Sequence, residues 1–112
     1  YSWGATIASS NANYNSNIGH TTDVGQYAAN PWGFFDMHGN VWEWTADWYQ
    51  ATYPTGNPVV DPSGPASGSA RVRRGGSWNS VGLALRSAKR LNGPPGYRVS
   101  YLGFRVGFQK SQ

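Results

Sequence analysis

The sequence predicts a mixed α+β domain that is dominated by loops and held by a small, twisted antiparallel sheet. Three observations carry this expectation. The 112 residues include 15 Gly and 7 Pro, a density that interrupts long helices and favours short strands joined by turns. "VWEWT" at 41–45 alternates, so that Trp42 and Trp44 face one way and Val41, Glu43 and Thr45 the other, as a half-buried strand requires. The other apolar runs are short and bounded by turn residues.

In chain order, residues 5–30 are rich in Ala, Asn, Ser and Thr and poor in large apolar side chains, which reads as an irregular surface loop that something else must order. "NPWGFFDMHGN" is a turn region, and the alternating strand follows it. Residues 50–70 hold four prolines and three glycines and read as an ordered excursion or a linker. "ARVRRGGSW" predicts a strand that stops at a double glycine. "ALRSAKR" is long enough only for a strand or a helical turn, and "YLGFRVGF" predicts a closing strand. No internal repeat is visible.

Charge is distributed unevenly. The five acids (Asp23, Asp36, Glu43, Asp47, Asp61) all precede residue 62, the nine Lys and Arg all follow residue 70, and the net charge is +4. A basic half is one form of nucleic-acid footprint. These arginines, however, are interleaved with glycines and apolar residues, so mutual neutralisation of the two halves is favoured over nucleic-acid binding. No apolar run approaches the roughly 20 residues of a membrane span, and the chain reads as soluble. With no cysteine there is no disulfide, no thiolate nucleophile and no Cys-based metal site. The compartment is therefore unreadable, with an extracytoplasmic setting left open.

"NPWGFFDMHGNVWEWTADWY", "DPSGP", "RVRRGGSW", "LRSAKR" and "LGFRV", in that order, resemble the sulfatase-modifying-factor family, also called formylglycine-generating enzyme domains. The resemblance covers Tyr1 to Val106 and implies a loop-rich C-type-lectin-like fold. Family domains are usually about twice this length, so the resemblance also implies that this chain is the C-terminal part of such a domain. A half domain leaves apolar surface exposed, and the expected cover is an N-terminal fragment or a homo-oligomer.

The resemblance implies a structural calcium ion held by the Asp36 and Glu43 side chains and the Gly39 and Val41 carbonyls. The chemistry agrees, because hard Ca²⁺ takes six to eight oxygens and a glycine turn lets carbonyls converge. The alternative is that Asp36 and Glu43 pair with arginines of the basic half. Asp47 is assigned to solvent or to such a pair. A further family calcium site near Asn13, Tyr14 and Ile18 is expected to be weak or lost, since its acidic ligand is replaced.

The family's oxidation of a substrate cysteine uses two enzyme cysteines that bind copper, located after "GGS". Here Ser80 stands where one would be and the other has no counterpart. A hydroxyl is not a soft ligand for Cu(I), so copper is not expected and the reading leans against catalysis. His20 and His38 lack metal-ligand spacing, and His38 is expected to fill a turn position. Ser77 has no neighbouring His to activate it.

What remains is a displayed surface built from Trp78, Asn79, Ser80, Val81, Leu91, Asn92, Tyr97, Val99, Ser100 and Tyr101. Tyr, Ser, Asn and small apolar residues in loops suit adaptable binding, because Tyr gives contact area at low entropic cost. The pattern also resembles the variable proteins of diversity-generating retroelements. The expected function is non-catalytic, calcium-stabilised binding of a protein or carbohydrate ligand. A formylglycine-generating oxidase acting on a sulfatase cysteine is the alternative.

Overall fold

The computed structural model describes residues 1–53, 55, 59–60, 62 and 64–107. Asp61 and other parts of the proline-rich excursion lie outside these, so the reading of 50–70 as ordered excursion or linker falls partly outside the described residues. Four short strands and one 3-10 turn are the regular elements: β1 (Trp42–Trp48), β2 (Arg71–Arg74), a 3-10 helix (Gly82–Leu85), β3 (Leu91–Gly93) and β4 (Leu102–Phe104). Residues 1–41 contain no helix or strand, in keeping with their small polar composition. Among the described residues no helix is long and apolar enough to cross a membrane.

The strand order is β3-β2-β1-β4. β1 and β2 pair antiparallel, as do β2 and β3, but β1 and β4 pair parallel. The sheet is therefore mixed, where the sequence predicted an antiparallel one. The reason is the connection: β3 and β4 lie on opposite edges and run the same way, so residues 94–101 must cross over β2 and β1 to reach the far edge. A crossover is what parallel pairing demands. It is short here because β3 and β4 have three residues each, only about 10 Å of strand.

β2 stops where predicted, because Gly75 and Gly76 both have positive φ (93° and 75°). At Gly76 a Cβ would lie 2.5 Å from Leu85 Cδ1, so the second glycine lets the 3-10 segment pack onto the end of the strand. The apolar core is small: Ala12, Trp42, Val72 and Leu85 are the buried hydrophobic residues among those described. Buried polar residues match them in number (Asn13, His38, Asn40, Ser77), so hydrogen bonds do much of the ordering. Trp42 is buried as its strand position predicts; Trp44, expected to be buried with it, is only half-buried, since β4 and the 94–101 crossover cover it incompletely.

Among the described residues one ion pair, Glu43–Arg105, joins the acidic and basic halves, and Arg71, Arg74 and Arg90 are held by uncharged partners. Arg71 lies 3.5 Å over the Trp48 ring, and Arg90 lies 4.1 Å over Tyr53 and 5.1 Å over Tyr49. Arg71 also donates to the Ala46 carbonyl, Arg74 to Ser87 and Arg90 to Ala51. Aromatic faces and backbone oxygens thus take the place of acids.

Candidate functional site

Strand alternation puts Trp42 and Trp44 on one face of the sheet, and the cross-strand register sets Arg73 opposite Trp44 and Leu91 opposite Arg73. The 94–101 crossover passes over this same face. Tyr97 lies within 3.8 Å of the Cβ position at Gly93, where Trp44 also makes close approach. The Arg73 guanidinium sits 5.5 Å from the Trp42 ring centroid and 5.6 Å from that of Tyr97. The Tyr97 and Tyr101 hydroxyls are 3.0 Å apart. From the other side, the turn after the double glycine delivers Ser80, whose Oγ accepts from Trp42 Nε1 at 3.2 Å. A chain of contacts therefore runs Ser80, Trp42, Arg73, Tyr97, Tyr101. The bond to Tyr101, with burial, raises the Tyr97 phenol above its ordinary value, and Arg73 partly opposes this, so the Tyr97 hydroxyl stays protonated at neutral pH.

Not every predicted surface residue joins this face. Asn92 is opposite Val72 in the β2–β3 register, and directly opposed side chains share a face; Asn92 therefore belongs to the side away from Arg73. Leu91 and Asn92 are in strand β3, where a loop was expected. Ser80 is turned inward: its Oγ also accepts from Ser77 N and lies 2.8 Å from Ser77 Oγ. Trp78 is tied by its backbone, donating to Asn40 O and accepting from Ser16 N. Asn79 receives the Ser77 hydroxyl at 2.8 Å. Val81 and Ser100 are exposed, and Val99 lines a groove of about 330 Å³ with Trp44 and Tyr97.

The opposite side of β1 carries a larger concavity of about 450 Å³ lined by Asp36, Gly39, Val41 and Glu43 together with Phe34, Phe35, Phe104 and Arg105. The four residues expected to hold calcium are all among its lining residues, though no group of three or more His, Cys, Asp or Glu gathers anywhere among the described residues. Glu43 is forked by Arg105, with Nη2 to Oε1 at 2.8 Å and Nε to Oε2 at 3.1 Å. The bond to Glu43, with a smaller contribution from Asp36, raises Arg105 above its ordinary value against the opposing effect of burial. Asp36, at φ 55°, accepts the Gly25 N–H through Oδ2 at 2.7 Å. Among the described residues no hydrogen bond outside the strand ladders ends on the Gly39 or Val41 carbonyl oxygen. Asp47 lies on another concavity, near Arg74 and Arg90, without an ion pair among the described residues.

Residues 1–109 match the profile of the Sulfatase-modifying factor enzyme 1-like domain. The chain belongs to this family. It is 44% identical over 107 residues to the serine/threonine-protein kinase pkn1 of Chlamydia caviae, covering 94% of this chain and 17% of that protein. It is 44% identical over 88 residues to the formylglycine-generating enzyme of Streptomyces coelicolor, covering 76% and 28%. Among solved structures, Treponema denticola variable protein 1 superposes with a TM-score of 0.77 at 44% identity, over 85% of this chain and 34% of that one. The chain thus spans about a third or less of each of these relatives.

Within this sulfatase-modifying-factor domain the chemistry of the remaining candidates is local. Ser77 is wholly buried, with its hydroxyl spent on Asn79 and Ser80. His38 is also buried and has both ring nitrogens occupied, Nε2 accepting from Ser2 N at 3.1 Å and Nδ1 donating to Leu85 O at 2.6 Å. Burial pushes its pKa below the usual histidine value, partly opposed by the Leu85 bond, so it is a neutral structural histidine in the turn, as expected. Asn13 is buried and donates to His20 O at 2.9 Å, while Ile18 is exposed.

The family domain's residues that sequence reasoning passed over are Arg73, Arg105 and Asn40. Arg73 did carry a signal, since strand alternation in "RVRR" puts it opposite a tryptophan. Arg105 carried none, because its partner is 62 residues away.

Proposed function

We propose that this sulfatase-modifying-factor domain is a non-catalytic, calcium-stabilised binding module that presents its 79–101 surface, in which Tyr97 and Tyr101 lie beside Trp42 and Arg73 of the sheet, to a protein or carbohydrate ligand. The observation that carries the reading is the convergence of two separate loops on one tryptophan-floored face, with tyrosine hydroxyls outward and no thiol anywhere in the chain. The likeness to a variable protein supports it, and diversification of these positions belongs to the same proposal. The rival oxidase reading draws on the formylglycine-generating relatives. It is tested by incubating the full-length protein with a cysteine-containing sulfatase peptide and copper, and measuring aldehyde. No aldehyde is expected; sustained turnover would overturn the binding reading.

Calcium fits the other concavity on donor chemistry: two carboxylates and two backbone carbonyls form an oxygen-only set suited to a hard cation. The ion would neutralise the acids and cross-link the turn at 36–41 to β1. Glu43 can serve both partners, because a carboxylate offers about four lone-pair sites and a fork from Arg105 uses two. An ion that binds only the folded chain stabilises it by about 2.7 kcal/mol at a hundredfold excess over its dissociation constant. The melting temperature is therefore expected to rise with calcium and fall on chelation, and Glu43→Gln is expected to remove most of that response. A melting temperature indifferent to chelation would discard the metal and leave Glu43 with Arg105 alone.

A further inference from the structure

We propose that Arg105 is the resident counter-cation of the concavity lined by the expected calcium ligands: it holds Glu43 in place without a metal and, by opposing the ion there, sets how tightly calcium binds. The inference rests on the calcium reading above and goes beyond it. The parallel register of β1 and β4 places Gly103 opposite Glu43, and Arg105, two residues on, keeps to the same side. Gly103 has no side chain, and a Cβ there would meet Val41 Cγ2 at 3.3 Å. The glycine thus leaves the way from the guanidinium to the acid clear, and Arg105 forks the carboxylate through Nη2 and Nε at 2.8 and 3.1 Å. Arg71, Arg74 and Arg90 donate to backbone carbonyls; among the described residues Arg105 is the one arginine paired with an acid.

The rest of the wall is fixed by other means. Asp36 accepts the Gly25 N–H through Oδ2 at 2.7 Å, and the Gly39 and Asn40 N–H groups donate to Gly75 O and Asn13 O, each at 2.9 Å. Among the described residues the Glu43 carboxylate has hydrogen bonds from Arg105 alone. The guanidinium also lies in the field of Asp36, which adds to the larger effect of Glu43 in raising its pKa, so it occupies a place where both acids favour a cation. Calcium on the same oxygens would have this like charge beside it, and a divalent ion repels a unit charge several ångström away even in a water-like dielectric. The pair is open to exchange: the Arg105 and Glu43 side chains are 37% and 23% exposed, so an ion can reach the carboxylate and the guanidinium can turn to solvent.

The test titrates calcium into the full-length wild type, Arg105→Gln and Arg105→Lys, by calorimetry and by melting temperature, and scores only the response that is lost when Glu43→Gln is added. Arg105→Gln is expected to melt below wild type in chelator and yet to bind calcium about 10-fold more tightly, the scale of a unit charge about 5 Å from a divalent ion in a water-like dielectric. A purely structural arginine would give the lower melting temperature without the tighter binding. Arg105→Lys, which keeps the charge, should bind calcium much as wild type does. Should Arg105→Gln fail to fold, the Arg105 Nε–H resonance of the wild type decides: it should shift saturably with calcium while that of exposed Arg98 does not. Equal or weaker calcium binding by Arg105→Gln, tightening by Arg105→Lys as large as by Arg105→Gln, or an Arg105 resonance unmoved at calcium saturation would each overturn the proposal and leave the calcium site standing. A response confined to Arg105→Gln would support it, with the arginine excluding the ion from the wild type. No Glu43-dependent response in any of the proteins would discard the calcium reading and the proposal with it.

Discussion

Trp42→Ala is expected to lower the unfolding free energy by about 3–5 kcal/mol, the range for deleting a buried tryptophan. Trp42 is 3% exposed and is the sole buried Trp, Tyr or Phe among the described residues. It joins three elements at once: its backbone N–H donates to Tyr101 O at 2.9 Å, its indole N–H to Ser80 Oγ, and its ring faces Arg73. In a core this small no neighbouring large side chain can collapse into the space. Trp42→Phe should recover much of the loss, keeping apolar volume but leaving Ser80 Oγ without the indole donor. Trp44→Ala, at a half-buried position, should cost less than Trp42→Ala. Urea unfolding monitored by circular dichroism measures all three. A Trp42→Ala midpoint close to wild type, or a larger loss at Trp44 than at Trp42, would show that the core is organised elsewhere.

Asn40→Ala is expected to cost about 3–4 kcal/mol, from roughly 1 kcal/mol for each of two or three net hydrogen bonds and about 1 kcal/mol for a left-handed backbone. Asn40 has φ 64°, a conformation asparagine tolerates and alanine resists. Its Oδ1 accepts from Thr22 N at 2.9 Å and Asn13 Nδ2 at 3.4 Å, and its Nδ2 donates to Thr22 O at 3.2 Å. Its backbone bonds Asn13 O and Trp78 N. One side chain thus fastens the element-free stretch before β1 to the sheet and to the turn that delivers Ser80. Asn40→Gly separates the contributions, since glycine accepts the backbone angle but makes no side-chain bond; it should regain about 1 kcal/mol relative to alanine. Amide exchange at Thr22 should accelerate in both variants. Unchanged protection there would mean that something other than Asn40 orders the loop.

Much of this architecture is legible locally. The alternation in "VWEWT" sorts Trp42 and Glu43 onto opposite faces because a strand buried on one side tolerates no other arrangement, and β1 obeys it. The double glycine ends β2 because the chain turns there through positive φ. The loop character of 1–41 follows from a composition too poor in large apolar residues to hold a strand of its own. The ordered motifs also placed the chain in its family, since several short signals in fixed order are more specific than any one of them.

Other features depend on which distant segments converge, and no local pattern encodes that. "LNG" at 91–93 has no strand period; it becomes β3 because β2 offers it a ladder. β4 was legible as a strand, but its parallel direction was set by the crossover that carries residues 94–101 to the far edge. That crossover also laid Tyr97 over Arg73, while the β2–β3 register turned Asn92 away and the turn after Gly76 drew Ser80 inward. Glu43 was recognisable from the sequence by itself as an acid in need of a cation. Only the tertiary structure could bring Arg105 to it, because a charge finds its partner through space, and the sheet decides what is near.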